Sequence, residues 1–151
     1  MKSIVIRRAI KKDGKQFLAL VNALADYEKL KRPTRTACAR LLRDAFGKQK
    51  RFDVFLAFVS SQVVGYAIFF ETYSSFLALP TLYMEDIFVL KDYSKQKIGY
   101  KLFQRCLAEA KRCGCGRMEW MVLDWNKLAI KFYDRIGAKQ MKQWLLYRIE
   151  L

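Results

Sequence analysis

Three apolar runs rich in β-branched and aromatic residues follow one another through the middle of the chain. The first two, Phe52 to Val59 and Val63 to Tyr73, are separated only by Ser60, Ser61 and Gln62. A break that short allows an antiparallel hairpin and little else. After an irregular stretch, Phe76 to Pro80, the third run extends from Leu82 to Leu90 and passes through a basic turn into a segment of helical period starting at Ile98. Such a chain must pair its strands into one sheet and cover the faces with helices.

The flanks supply those helices. Ser3 to Arg8 alternates as a short strand, and Asp13 is placed to cap a helix carrying Phe17, Leu20, Val21, Leu24 and Tyr27 at helical spacing. Pro33-Thr34 opens a second helix, with Ala37, Leu41, Ala45 and Phe46 facing inward and Gly47 ending it. In the segment from Ile98, the apolar positions Leu102, Phe103, Cys106, Leu107 and Ala110 predict a long helix closed by Gly114 and Gly116. Met118 to Leu123 reads as a strand, Asn126 caps a helix to about Ile136 stopped by Gly137, and Gln140 to Ile149 reads as one or two further strands. The order βααβββαβαβ(β) predicts a mixed α/β (α+β) fold. All 151 residues are expected in a single domain, without linker, repeat or low-complexity segment.

No run reaches the ~20 apolar residues a membrane helix needs, and the opening MKSIVIRRAIKK is unlike a secretory leader. The expectation is a soluble, cytoplasmic protein with no membrane partner. Cys38, Cys106, Cys113 and Cys115 are too few and too unevenly spaced for a disulfide framework, so free thiols are expected. Cys113-Gly114-Cys115 lacks zinc-knuckle spacing, and with no histidine to complete a mixed site no metal is expected. The absence of histidine also removes Ser-His-Asp and Cys-His nucleophile pairs, leaving acid–base work to Asp, Glu, Tyr, Lys or Cys. Lys+Arg 29 against Asp+Glu 14 gives a net charge of +15, a field attractive to any polyanion. The charge is densest from Lys29 to Arg51 and from Lys91 to Arg112, and no nucleic-acid module signature accompanies it. A nucleic-acid partner stays open but is not favoured.

A strand, a basic turn and a helix in direct succession aim unpaired N–H groups and the positive end of the helix dipole at one point, which suits a phosphate. Lys95, Lys97 and Lys101 add full charges there. Glu85 and Asp86 interrupt an otherwise apolar strand, a costly placement unless each has a partner or a task. Strand alternation predicts that they face opposite sides, one toward a cleft and the other toward a cation or backbone amide. A purely structural ion pair is the competing explanation. Asn126, Ile130 and Tyr133, spaced by four and three, share a helix face. Capping alone would justify Asn126, and Tyr133 beside Phe132 would equally serve as a core aromatic with a wet hydroxyl.

The runs YMEDIFVLKDYSKQKIG and CGRMEWMVLDWNKLAIKFYDRIGAK resemble the GNAT superfamily, and more closely its diamine acetyltransferase branch, the spermidine/spermine and thialysine acetyltransferases. The likeness extends to Tyr27-Glu28, Phe52 to Ala57, Val64-Gly65-Tyr66-Ala67 and Tyr73 through Leu79, nearly the whole chain. It implies a mostly antiparallel central sheet whose fourth and fifth strands splay apart to admit the pantetheine arm of acetyl-CoA. By position, Ile87, Phe88 and Val89 would offer backbone groups to that arm. Gln96, Lys97, Ile98, Gly99, Tyr100 and Lys101 would hold the pyrophosphate, and Asn126 would help hold the arm. Glu85 would relay the proton off the amine and Tyr133 would protonate the leaving thiolate. Tyr27, Glu28, Phe76 and Glu85 resemble the acceptor pocket, and relatives suggest a homodimer.

The chemistry makes these roles intelligible. An alkylamine with a pKa of ~10.4 is protonated at neutral pH, so a carboxylate must accept its proton before it attacks a thioester. The oxyanion that forms is stabilised by strand N–H groups, an effect on the order of a hundredfold or more. One departure stands out. The family's phosphate turn is usually Arg-Gly-x-Gly-x-Gly, whereas here Ser94-Lys95-Gln96-Lys97-Ile98-Gly99 keeps only the last glycine. The expectation is transfer to a small-molecule amine, a polyamine or lysine-like amino acid. The alternatives are a weakly active or non-catalytic fold that binds an acyl-CoA or nucleic acid, and a protein N-acetyltransferase.

Overall fold

The two central runs form the predicted hairpin, turned by Ser60 and Ser61, both in the left-handed region at φ 48° and 67°. In the computed structural model, residues 2–151 are described. They fall into two compact units, the first ending at Trp120 and the second spanning Met121–Leu151.

The first unit holds β1 (Ile4–Arg8), α1 (Gly14–Tyr27), α2 (Arg35–Phe46), β2 (Asp53–Val59), β3 (Gln62–Ser74), β4 (Leu79–Val89), α3 (Ile98–Arg112) and β5 (Arg117–Trp120). The strands form one sheet in the order β1-β2-β3-β4-β5. The first three pairings are antiparallel and the last, β4 with β5, is parallel. That last pairing covers only Thr81↔Arg117 to Met84↔Trp120. Glu85–Val89 therefore continue with β3 on one side and no paired strand on the other among the described residues, which is the splay expected of the fourth and fifth strands.

Alternation along the strands divides the core. Val54, Leu56, Tyr66 and Ile68 pack with Phe17, Leu20 and Leu24 of α1 and Ala45 of α2. Phe17 is fully buried and meets Tyr66 edge-on at 5.7 Å; burying one such side chain stabilises by about 1.5–3 kcal/mol. On the opposite face Phe55 and Phe69 lie 4.8 Å apart, and α3 brings its buried stripe Ile98, Leu102, Phe103 and Cys106 to the sheet. Arg8 of β1 pairs with the buried Glu109 of α3, which also pairs with Arg112 at 2.6 Å. These guanidinium partners hold the Glu109 carboxyl down at about 2.

Several expectations need correction. Asp13 precedes α1 but does not cap it. Its carboxylate accepts from Ile10 N–H at 2.8 Å and from Arg7 at 2.7 Å, which tie it to the preceding strand instead. Thr34, by contrast, caps α2 as expected, accepting from Ala37 N–H at 3.2 Å. β4 starts at Leu79, inside the stretch read as irregular, because β3 runs on to meet it at Ser74↔Leu79. β5 stops at Trp120 rather than Leu123.

In the second unit, α4 (Lys127–Arg135) begins at Asn126, whose side chain accepts from Ala129 N–H at 3.3 Å, and Gly137 follows in the left-handed region at φ 86°. The segment read as one or two terminal strands forms none among the described residues. Its Trp144, Leu145, Leu146, Tyr147 and Ile149 are all largely exposed. A strand exists only by hydrogen bonding to a neighbour, which a favourable composition does not by itself supply.

Candidate active site

The site forms where β4 outruns β5. Across the β3–β4 ladder Ile68 pairs with Asp86 and the next residue, Phe69, pairs with Met84, so Glu85 is the extra residue of a β-bulge. A bulge interrupts alternation and re-aims the side chain it carries. Simple alternation, on which the expectation that Glu85 and Asp86 face opposite sides rests, is therefore broken at this point. Among the described residues Asp86 meets neither a cation nor a backbone amide. It accepts a hydrogen bond from the Tyr66 hydroxyl at 3.0 Å.

Glu28, following the last residue of α1, completes a group of three carboxylates. Burial, and after it the charge of Glu85, raises Glu28 above the usual carboxylate range. Burial also pushes Asp86 up to about 6, against the lowering effect of the Tyr66 hydrogen bond and with help from Glu85 and Glu28. Tyr66, fully buried, is raised by the same burial and by Asp86. Glu85 itself is exposed, Asp86 and Glu28 half-buried. Tyr27 leans on Phe88 with ring centroids 6.1 Å apart, and Phe88 in turn meets Tyr66 at 6.4 Å. Tyr27, Glu28, Glu85 and Phe88, remote in sequence, are thus brought together. Phe76 is not: it stands 98% exposed at the tip of the β3–β4 hairpin, and the five residue steps of β4 from Leu79 to Met84 span about 17 Å.

The turn after β4 is built differently from a glycine turn. Lys91–Gln96 form a 3-10 helix, and Lys97 takes up φ 58°, ψ 21°, the left-handed conformation that glycine would adopt freely. α3 then starts with no side-chain cap. Its first N–H groups are of the kind left without intrahelical partners. Ile98 is fully buried, while Gln96, Lys101 and Tyr100 are exposed. A Cβ built on Gly99 would meet only Val89 Cγ2, at 3.9 Å. Packing within the chain does not require glycine at 99, whereas close approach of a phosphate to the backbone would. Ile87 and Val89 lie on the stretch of β4 beyond β5, opposite Ala67 and Gly65. Gly65 is required by packing, because a Cβ there would fall 2.8 Å from the Phe88 carbonyl oxygen.

In the second unit Asn126 and Tyr133 occupy α4 and its cap as expected, with the Tyr133 ring edge-on to Phe132 at 5.5 Å. Sequence reasoning left Tyr66 and Asp86 out of the site. Asp86 was visible as a carboxylate in an apolar strand, but its partner lies 20 residues away. A separate cavity of about 470 Å³ opens on the α3 face of the sheet, lined by Arg8, Lys50, Asp53, Glu109 and Arg112. None of the expected site residues lines it, and its charges already neutralise one another. No three metal-ligating side chains converge among the described residues.

This arrangement, a strand edge left open beside a bulged carboxylate and an uncapped helix start, coincides with family membership. The acetyltransferase (GNAT) family profile matches residues 17–138. The thialysine N-epsilon-acetyltransferase of Mus musculus is 32% identical across 99% of this chain and 94% of its own length. The L-ornithine N5-acetyltransferase of Arabidopsis thaliana is 42% identical over 58% of this chain and 38% of its own. Among solved structures, an aminoglycoside N-acetyltransferase in complex with CoA superposes with a TM-score of 0.82 at 17% identity, over 100% of this chain and 97% of that one. The chain belongs to the acetyltransferase (GNAT) family, and its relatives put it in the diamine acetyltransferase branch.

Proposed function

We propose that the protein transfers an acetyl group from acetyl-CoA to a primary amine of a small cationic molecule, a polyamine or a lysine- or ornithine-like amino acid. The observation that carries this reading is the trio Glu28, Glu85 and Asp86, a local acidic site on a chain of net charge +15. A cationic acceptor finds counter-charges there on an otherwise basic chain. The names of the thialysine and ornithine relatives agree with such an acceptor.

Glu85, exposed on its bulge, accepts the ammonium proton, directly or through water. The freed nitrogen attacks the thioester carbon, an N–C bond forms and the C–S bond breaks. Tyr133 delivers a proton to the departing thiolate, and the second proton lost from nitrogen as the amide forms returns through water to Tyr133. Glu28 and Tyr27 hold the remote end of the acceptor. Backbone groups of Ile87, Phe88 and Val89 and the side chain of Asn126 hold the pantetheine arm. The N–H groups of Gln96 to Lys101 bind the pyrophosphate, where Lys97 supplies charge in place of the missing glycines. Both units act in this reading as one transferase domain.

The same reading makes the enzyme a cytoplasmic homodimer. Four free cysteines suit a reducing compartment, and no helix among the described residues is long and apolar enough to cross a membrane. The exposed tail from Trp144 to Ile149 suits strand pairing with a second copy.

The test is turnover. Incubation with acetyl-CoA and a panel of thialysine, ornithine, spermidine, an aminoglycoside and a lysine peptide, read as free thiol release, is expected to show preference for the small diamines. Turnover on the peptide alone would replace the acceptor class, and no turnover with any amine would overturn the transferase reading.

A further inference from the structure

Between Lys29 and Arg51 the chain carries nine lysines and arginines against one carboxylate, Asp44. All nine are exposed. On α2, Arg35, Arg40 and Arg43 fall within about 140° of arc at about 100° per residue, and Lys48 and Arg51 follow beyond the helix end. Arg35, Arg40, Lys48 and Arg51 have no carboxylate within ion-pair distance among the described residues. Arg43 is bound only to Asp44 at 3.0 Å while its side chain stays 65% exposed, a contact of the kind worth ~0–1 kcal/mol. Like charges gathered on one helix face repel each other and contribute nothing to the fold.

We infer that the solvent face of α2, continued by Lys48 and Arg51, is a docking surface for the phosphate backbone of a nucleic-acid duplex. Three properties favour that occupant. The twelve residues of α2 span about 18 Å, a length over which a duplex presents about ten phosphate charges. The residues between the arginines on this arc are Thr36 and Ala39, small enough for a backbone to approach, and Phe46, which packs against the core beside Phe17. A membrane-surface helix would instead carry exposed bulky apolar side chains to insert, and single-strand binding would call for exposed aromatics to stack bases; the one aromatic on the arc, Phe46, is packed against the core and is not exposed. Arginine suits the role because its planar fork pairs with phosphate oxygens bidentately. The inference does not rest on the acetyltransferase reaction.

Fluorescence anisotropy with labelled 20-base-pair DNA and RNA duplexes, from about 50 to about 200 mM salt, tests it. Binding is expected with a slope of log K against log salt of about −4, since each phosphate contact contributes about −0.9. The R35Q/R40Q/R43Q triple variant should flatten that slope by about 2 to 3. The R35K/R40K/R43K variant should restore it, which separates lost charge from lost fold. K11Q/K12Q/K15Q, an equal charge change on exposed residues elsewhere, should leave it unchanged. Binding of only one duplex type would identify the source of the phosphates and uphold the surface. Equal weakening by the two glutamine triples, no binding near 150 mM salt, or capture by phosphatidylserine vesicles in preference to both duplexes would overturn the proposal.

Discussion

The Tyr66 hydroxyl donates to the Asp86 carboxylate at 3.0 Å, across the β3–β4 ladder and beneath a bulge that turns Glu85 outward. Tyr66 is anchored by Phe17 on one side and Phe88 on another, so the acid is held against a rigid partner. A carboxylate so placed, with Glu28 and Glu85 as like-charged neighbours, is a strained charge near neutral pH and a comfortable neutral acid below it.

That strain has a sign in stability. Asp86 titrates at about 6 in the fold against 3.8 ordinarily, so between those values the folded state binds more protons than the unfolded one and stability falls as pH rises. At about 1.4 kcal/mol per pH decade, Asp86 costs about 3 kcal/mol above pH 6 relative to pH 4. Urea unfolding of D86N should show a protein more stable than the parent at pH 7.5 by up to about that amount, with the difference gone by pH 4. A constant difference across the range would mean Asp86 does not titrate in this window.

Glu85 should reveal itself in rate rather than in stability. E85Q is expected to lower kcat/KM for a diamine by about 10²–10⁴ and to leave the thermal midpoint unchanged, because the bulge residue is exposed. The loss should shrink as pH approaches the amine pKa of ~10.4, where free amine no longer needs a base. A loss that stays constant with pH would remove Glu85 from proton transfer.

Gly99 offers a clean separation of fold from phosphate binding. A methyl there meets only Val89 Cγ2 at 3.9 Å, and alanine is favoured over glycine in a helix by about 0.5–1 kcal/mol. G99A should therefore be as stable as the parent or more so, yet raise the KM for acetyl-CoA on the order of tenfold by holding phosphate off the N–H groups. Unchanged KM would move the pyrophosphate elsewhere. G65A, in contrast, drives a Cβ to 2.8 Å from the Phe88 carbonyl and should cost about 1–3 kcal/mol in urea unfolding.

Tyr133 is expected to act late in the reaction. Y133F should lower kcat by roughly a hundredfold or more with little change in KM for either substrate. A stability loss without that fall in kcat would leave Tyr133 as a packing residue beside Phe132.

Features fixed by neighbouring residues were legible in sequence. Thr34 caps α2, Ser60-Ser61 turns the hairpin, Gly47 and Gly137 follow helix ends, and the strand–turn–helix at Leu90 to Ile98 lies where the hydrophobic period changes. Asp13 misled because a carboxylate at a helix start has a second outlet, the Arg7 guanidinium of the preceding strand. The tail misled because its β-favouring composition says nothing about whether a partner strand is within reach.

The amino-acid order by itself determined the succession of elements, the basic turn ahead of α3, the histidine-free chemistry and the positive charge of α2, since each depends on residues within a few positions of one another or on their sum. Only the tertiary structure decided that β5 leaves β4 after Met84, that Glu85 is the bulged residue, and that Glu28, Glu85 and Asp86 share one site with Tyr66. Those relations depend on the register between strands 20 residues apart and on where α1 ends against them. Register is settled by how the whole sheet buries its two faces, not by any local preference.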